Sequence, residues 1–320
     1  MTKPLIVITD NLFPHNNEEK AALAPLKADI RIVDHMPRPE LLSLCRRADA
    51  LMVNMTEMDR DFIQALEKCR IISRYGVGYD NVDVEAATAK GIWVGTVPDY
   101  CYQEVAEHTT ALLLALSRDI FSRDRAVRSG QWRAKPLKKL APLRGSTLGI
   151  LGYGRTGHAF HHQIRGFGFG HILINSTNLH PGEEVGGAMA VSFEELIARS
   201  DYLSLHIPLD EKTHHLLNRD VLFSMKPGAR LINTARGAII DEEALFEALD
   251  CGHLGGAAVD VLEEEPPAPD NPLLQLDNMV FTDHEAYYSE HSIAALKRKT
   301  AENVLACLSD GQPNFAVNKL

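Results

Sequence analysis

Three segments of the chain end an apolar run in a group that can do chemistry. Leu231-Ile232-Asn233-Thr234-Ala235-Arg236 delivers a guanidinium, Ala258 to Glu265 a cluster of carboxylates, and Phe281-Thr282-Asp283-His284 an imidazole. A guanidinium grips a carboxylate through two parallel hydrogen bonds. An imidazole changes charge near neutral pH, so it can give or take a proton in either direction. Each residue alone is ordinary. An arginine after a strand is usually surface charge, a run of glutamates a solvated loop, and a lone histidine structural. Their joint occurrence after a fourth motif reverses that judgement.

That motif is Leu148-Gly149-Ile150-Leu151-Gly152-Tyr153-Gly154-Arg155-Thr156-Gly157. A strand-like run precedes its glycines and a helical pattern follows, the context a dinucleotide fingerprint requires. Gly152 would permit the tight turn, Gly154 would let backbone approach a pyrophosphate, and Gly157 would let helix and strand pack closely. The helix N-terminus would offer free N–H groups to the phosphates. An NAD site expects an acid about 20 residues on, at the end of the second strand. The chain has Asn175-Ser176-Thr177-Asn178 there. Ser176 and Thr177 accommodate a 2′-phosphate without repelling it, so NAD or NADP is expected, with the missing acid favouring NADP.

Elements must hold these groups in place. Apolar β-rich runs at residues 5–8, 30–33, 50–53, 71–73 and 92–94 alternate with helical patterns at 18–26, 40–48, 60–68 and 84–90. Such alternation predicts parallel βαβ units with right-handed crossovers, an α/β doubly wound sheet. A second series predicts strands at 148–151, 171–174, 202–205, 230–233, 256–261 and 279–281. Helical patterns at 157–166, 193–198, 219–225 and 242–249 separate them. About six strands suit a dinucleotide-binding sheet, whose ligands lie beyond the carboxyl ends of the strands, where Arg236, Glu265 and His284 all fall. Residues 103–126 read as one long helix, apolar nearly all round in its middle and so buried between layers or subunits. A last helix is expected over 290–308.

Composition narrows the functional classes. The 320 residues are 45% hydrophobic with a formal charge of −10. An acidic chain without a basic cluster is a poor partner for nucleic acid or an anionic membrane. Residues 135–144, the nearest basic stretch, read as a solvated linker. The five cysteines form no C-x-x-C pair, which argues against a disulfide framework and a zinc site. We expect no metal. No apolar run approaches the ~18 residues of a membrane span, and the N-terminal run is short for a signal peptide. A cytoplasmic protein is expected.

With these motifs in view, the chain closely resembles the D-isomer-specific 2-hydroxyacid dehydrogenases. The matching segments are the glycine fingerprint, Asn233-Thr-Ala-Arg236-Gly, Asp260-Val-Leu-Glu-Glu-Glu265-Pro, His284-x-Ala286 and Arg74-Tyr-Gly-Val77-Gly78. Residues 97–101 and 284–290 are most similar to a subgroup holding the carboxy-terminal-binding proteins and phosphoglycerate-dehydrogenase-like enzymes. The resemblance implies a flavodoxin-like substrate domain (1–99 plus 288–320), a Rossmann dinucleotide-binding domain (100–287) and a cleft between them. It also implies a homodimer built on the helix from Gln103.

The implied reaction moves a hydride between a nicotinamide cofactor and a small D-2-hydroxy or 2-oxo acid. Arg236 would bind the substrate carboxylate, backbone N–H groups near Val77 and Gly78 would hold its other side, and His284 would be the acid/base oriented by Glu265. Cofactor contacts are expected at Gly152, Gly154, Arg155, Thr156, Gly157, Ser176, Thr177, Pro208, Thr213, Thr234, Ala235, Asp260 and Ala286. Asn54 and Tyr75 are expected at the substrate, whose side chain no rule identifies. One departure is Asp283, where the family usually has proline. Two alternatives remain on the same fold: a nucleotide-sensing corepressor and a formate- or phosphite-type dehydrogenase.

Overall fold

The computed structural model describes residues 3–132, 140 and 142–320, so most of the expected linker lies outside the described residues. The chain divides into two compact units, Met1–Tyr100 with Ser289–Leu320, and Cys101–Tyr288.

The first unit alternates β1 (Leu5–Ile8), α1 (Asn17–Leu23), β2 (Asp29–Ile32), α2 (Arg38–Cys45), β3 (Ala50–Val53), α3 (Arg60–Ala65), β4 (Ile71–Arg74), α4 (Val84–Ala89) and β5 (Trp93–Gly95). Its sheet runs β2-β1-β3-β4-β5 with every pair parallel. Inner strand β3 is buried throughout and reads as an unbroken apolar run, whereas edge strand β2 is largely exposed. Asp59 and Asp83 start α3 and α4 by accepting the N–H groups of Phe62 and Ala86, each at 2.8 Å. The C-terminal helix Glu290–Asp310 belongs to this unit. Ser73 donates to Thr300 O at 2.9 Å, and the Asn303 amide bridges Thr96 O and the Phe315 N–H.

The second unit holds α5 (Tyr102–Arg118), α6 (Ile120–Arg128), β6 (Thr147–Leu151), α7 (Arg155–Ile164), β7 (His171–Asn175), β8 (Glu184–Val185), β9 (Ala188–Ala190), α8 (Phe193–Arg199), β10 (Tyr202–Leu205), α9 (Arg219–Ser224), β11 (Arg230–Asn233), α10 (Glu242–Asp250), β12 (Gly256–Val259) and β13 (Met279–Phe281). Its sheet has the order β13-β12-β11-β10-β6-β7-β9-β8, parallel except for the β8–β9 hairpin. Eight strands replace the expected six. The extra pair is only two and three residues long, too short for any alternation to betray it. Alternate strand residues feed the two cores. Leu203 and Leu231 pack toward the face holding Leu222, Leu245 and Leu249, while Ile150 and Ile232 pack with Leu113, Phe160 and Ile164. Strand order reverses at β6, with β7 on one side and β10 on the other, which opens a crevice at its carboxyl end.

The single helix expected over residues 103–126 is two helices. Asp119 takes a left-handed backbone, φ 55°, between them. Aspartate tolerates that conformation better than most residues. The break falls where the buried face ends: α5 buries Ala106, Thr109, Leu112, Leu113 and Leu116, and α6 buries nothing. Strand β12 also stops at Val259, two residues short of the expected end.

Candidate active site

Four loops at the carboxyl ends of β6, β11, β12 and β13 carry the expected groups of the second unit. After β6, Gly152 turns with φ 94°, and its N–H donates to Asn175 O at 2.8 Å. A Cβ there would lie 2.5 Å from His206 O, and one on Gly157 would lie 2.3 Å from Gly152 O. Both positions therefore need glycine for close approach. A Cβ on Gly154 would meet no described atom within 4 Å. Gly154 is the residue before the first turn of α7 and provides no side-chain cap, so N–H groups of that turn are left without a capping acceptor. Arg155 and Thr156 form the turn, and Ser176 and Thr177 follow β7 directly. These features fit a dinucleotide diphosphate. The flanking loop after β10 is closed by Thr213, whose hydroxyl donates to Pro208 O at 2.8 Å.

The catalytic candidates meet as expected from their strand ends. His284 Nδ1 lies 2.6 Å from Glu265 Oε2, and Glu265 Oε1 accepts the Leu262 N–H at 3.0 Å. Because a carboxylate only accepts, Nδ1 carries the hydrogen and Nε2 is the ring atom left for proton exchange. Burial pushes the Glu265 carboxyl up. The His284 hydrogen bond and charge, the Leu262 N–H and the Arg236 charge together outweigh burial and hold it below the usual range. Arg236 is brought alongside by Gly237, whose missing side chain lets backbone approach Leu262: a Cβ there would sit 1.9 Å from Leu262 C. The Asn233 side chain ties the loop by donating to Arg236 O at 2.8 Å and accepting the Ala235 N–H at 3.0 Å.

His284 has a left-handed backbone, φ 57°, which costs of order 1–3 kcal/mol unless its surroundings impose it. Asp260 imposes it. Its backbone oxygen accepts the His284 N–H at 2.8 Å. Its carboxylate takes the Thr282 hydroxyl at 2.6 Å and the Glu285 and Ala286 N–H groups at 3.1 Å each. Asp260 is 2% exposed, and its carboxylate is committed to these three protein donors. Asp283 is exposed, and it helps raise the Glu285 carboxyl, after burial.

In the first unit, Asn54 directly follows the inner strand β3. The Asn54 and Thr56 N–H groups donate to Asp10 at 2.9 Å each, and the Met55 N–H donates there too. Asp10 escaped notice in the sequence because one acid after a strand carries no motif. Val77, on the loop after β4, is 47% exposed beside Gly78. Tyr75 is a correction. Its ring lies in the core of this unit, 5.5 Å from Phe13, and its hydroxyl donates to Glu19 at 3.1 Å. Strand alternation turns it inward, so its side chain is not a substrate contact. His161 was also missed: buried in α7, it bonds the hydroxyl of Tyr153 in the fingerprint at 2.7 Å.

Comparison with known proteins places this geometry. The family model for the NAD-binding domain of D-isomer specific 2-hydroxyacid dehydrogenases matches residues 110–286. A glyoxylate reductase of Thermococcus litoralis is 40% identical over 290 residues, covering 88% of this chain and 87% of its own. The crystal structure of a glyoxylate reductase from Paecilomyes thermophila superposes with a TM-score of 0.90 at 29% identity, covering 99% of each chain. The D-lactate dehydrogenase of Aquifex aeolicus, solved with NAD and lactic acid, gives 0.84 at 26% identity over 99% of this chain and all of its own. The chain belongs to the D-isomer-specific 2-hydroxyacid dehydrogenases, oxidoreductases of two Rossmann-type α/β domains that work with a nicotinamide cofactor.

Proposed function

We propose that the chain reduces a small 2-oxo acid of the glyoxylate type to the D-2-hydroxy acid, with NADPH preferred over NADH. The observation that carries the reading is the 2.6 Å His284–Glu265 pair with Arg236 alongside. Arg236 holds the substrate carboxylate with its two-pronged fork. The bound cofactor supplies the hydride received at C2. His284 Nε2 donates the proton that the C2 oxygen gains, while Glu265 keeps Nδ1–H in place and steadies the imidazolium. In the oxidation direction the neutral ring takes that proton back.

Backbone N–H groups of Val77 and Gly78 and the Asn54 loop act on the substrate, which makes the first unit the substrate domain. The diphosphate rests on Gly152 to Gly157, with Pro208, Thr213, Thr234, Ala235 and Ala286 lining the rest of the cofactor site. The absence of a carboxylate at Ser176 and Thr177 supports NADPH. Apolar side chains exposed on α5 and α6, including Ile120, Phe121 and Val127, support a homodimer. Five free thiols suit the cytoplasm.

The test is consumption of NADPH and NADH by the purified protein with glyoxylate, hydroxypyruvate and pyruvate. Turnover with at least one acid, faster with NADPH, is expected. Tight cofactor binding without turnover of any acid would instead favour a nucleotide-sensing protein.

A further inference from the structure

Three consecutive residues of α5, namely His108, Thr109 and Thr110, reach three different functional segments of the second unit. His108 Nε2 lies 3.0 Å from the Thr282 hydroxyl, two residues before His284. That hydroxyl has one hydrogen and gives it to Asp260 at 2.6 Å. His108 must therefore donate, and the chain His108–Thr282–Asp260 ends on the carboxylate that imposes the left-handed turn at His284. Thr109 is fully buried, and its hydroxyl lies 2.8 Å from that of Thr234, two residues before Arg236. Thr109 already donates to Val105 O at 2.7 Å, so Thr234 is the donor. The Thr110 hydroxyl lies 2.8 Å from Ala106 O and 3.0 Å from Gln163 Oε1 in α7, the helix that opens on the fingerprint, and shares its one hydrogen between these two acceptors.

Adjacent helical side chains point about 100° apart, so three in a row fan out over about 200°. One rigid rod can thereby touch the acid/base loop, the carboxylate loop and the phosphate helix at once. These segments leave different strands; Asp260 also ties two of them, its N–H donating to Asn233 O at 2.9 Å and its backbone oxygen accepting the His284 N–H at 2.8 Å, but α5 reaches the phosphate helix as well.

We infer that α5 acts as a register bar: His108, Thr109 and Thr110 are positioning residues that set where the imidazole, the guanidinium and the phosphate-binding turn stand relative to one another. The inference rests on the roles proposed above for Arg236 and His284. A displacement of about 1 Å at a reacting group costs about 10²-fold in rate, so partial loosening should cost less.

The experiment is steady-state kinetics and cofactor titration on His108→Leu, Thr109→Val and Thr110→Val in the full chain. Three different signatures are expected, each about three- to tenfold, below that limit. His108→Leu should lower kcat and leave KM for the oxo acid. Thr109→Val should raise that KM by a larger factor than it raises the cofactor Kd, read by NADPH fluorescence, although Thr234 also lines the cofactor site. Thr110→Val should raise the cofactor Kd. Thr109→Ser, which keeps the hydroxyl, should restore KM, and it serves if the valine variant does not fold. In an Arg236→Lys background, Thr109→Val should add nothing, because it acts through the guanidinium. Equal losses in all three variants, or lowered thermal stability with unchanged kinetics, would reduce α5 to a packing element. A silent Arg236→Lys variant would instead overturn the role of Arg236.

Discussion

Asp10 and Asp260 hold matching places in the two units. Each stands just past the carboxyl end of a strand and accepts N–H groups from the loop after the neighbouring strand, β3 for Asp10 and β13 for Asp260. Each also accepts a threonine hydroxyl, from Thr9 at 2.7 Å and Thr282 at 2.6 Å. The difference is burial. Asp260 is enclosed and backed by His108, and its loop carries the strained histidine. Asp10 is half-buried, and its loop ends in Met55, which is 66% exposed. Charge-assisted bonds are stronger away from water and cost more to break there. One device thus gives a rigid loop under the proposed acid/base and a looser, more exposed loop in the first unit, where we propose the substrate is read.

The comparison breaks first at its largest effect. His284→Ala should lower kcat about 10²–10⁴-fold. Met55→Ala should change KM among oxo acids and leave kcat nearly intact. Equal kcat losses in the two would mean that the loops do not differ in kind. The two carboxylates come next. Asp260→Asn puts an amide where N–H groups and a hydroxyl converge, and kcat should fall about 10–100-fold through misplacement of His284. Asp10→Asn should alter KM a few-fold across a panel of oxo acids. The ordering of kcat losses in the two variants decides the point.

Glu265→Gln tests the electrostatic half of the site. In the folded protein Glu265 stays ionised below the ordinary glutamate range, so its support for the imidazolium is present at neutral pH and is lost only as pH falls through that depressed pKa. Removing the charge should make oxo-acid reduction fall off at lower pH than in wild type, whereas oxidation should suffer less. Coincident pH profiles would leave an arginine and a histidine as the working pair. Ser176→Asp should turn the ratio of kcat/KM for NADPH over NADH toward NADH, since a carboxylate repels a 2′-phosphate. A wild type that already strongly prefers NADH would end the NADPH proposal.

The smallest effect is in stability. Burial, then electrostatic repulsion from Arg165 and from neighbouring histidines of α7, pushes the His161 pKa from 6.5 down to about 4. A histidine kept neutral in the fold takes up its proton more readily when unfolded. Stability is therefore full above pH 6.5 and drains as pH falls toward 4, by at most about 3 kcal/mol. His161→Leu should flatten this part of the curve of unfolding midpoint against pH. A slope unchanged in the variant would assign the acid sensitivity to other groups.

By itself the amino-acid sequence determined the βαβ alternation, the inner strands, the glycine fingerprint and which three side chains are the catalytic candidates. These are local properties. Apolar periodicity marks an element, and Gly152 and Gly157 are where backbone must turn or touch within a few residues. Only the tertiary structure decided what those side chains lean on. Asp10 and Asp260 became anchors because β1 lies beside β3, and β12 beside β13. Tyr75 left the substrate and the 103–126 helix broke at Asp119 because burial on a particular face overruled the linear pattern. Pairings across strands and helices depend on which elements become neighbours, and that is settled by packing of the whole core.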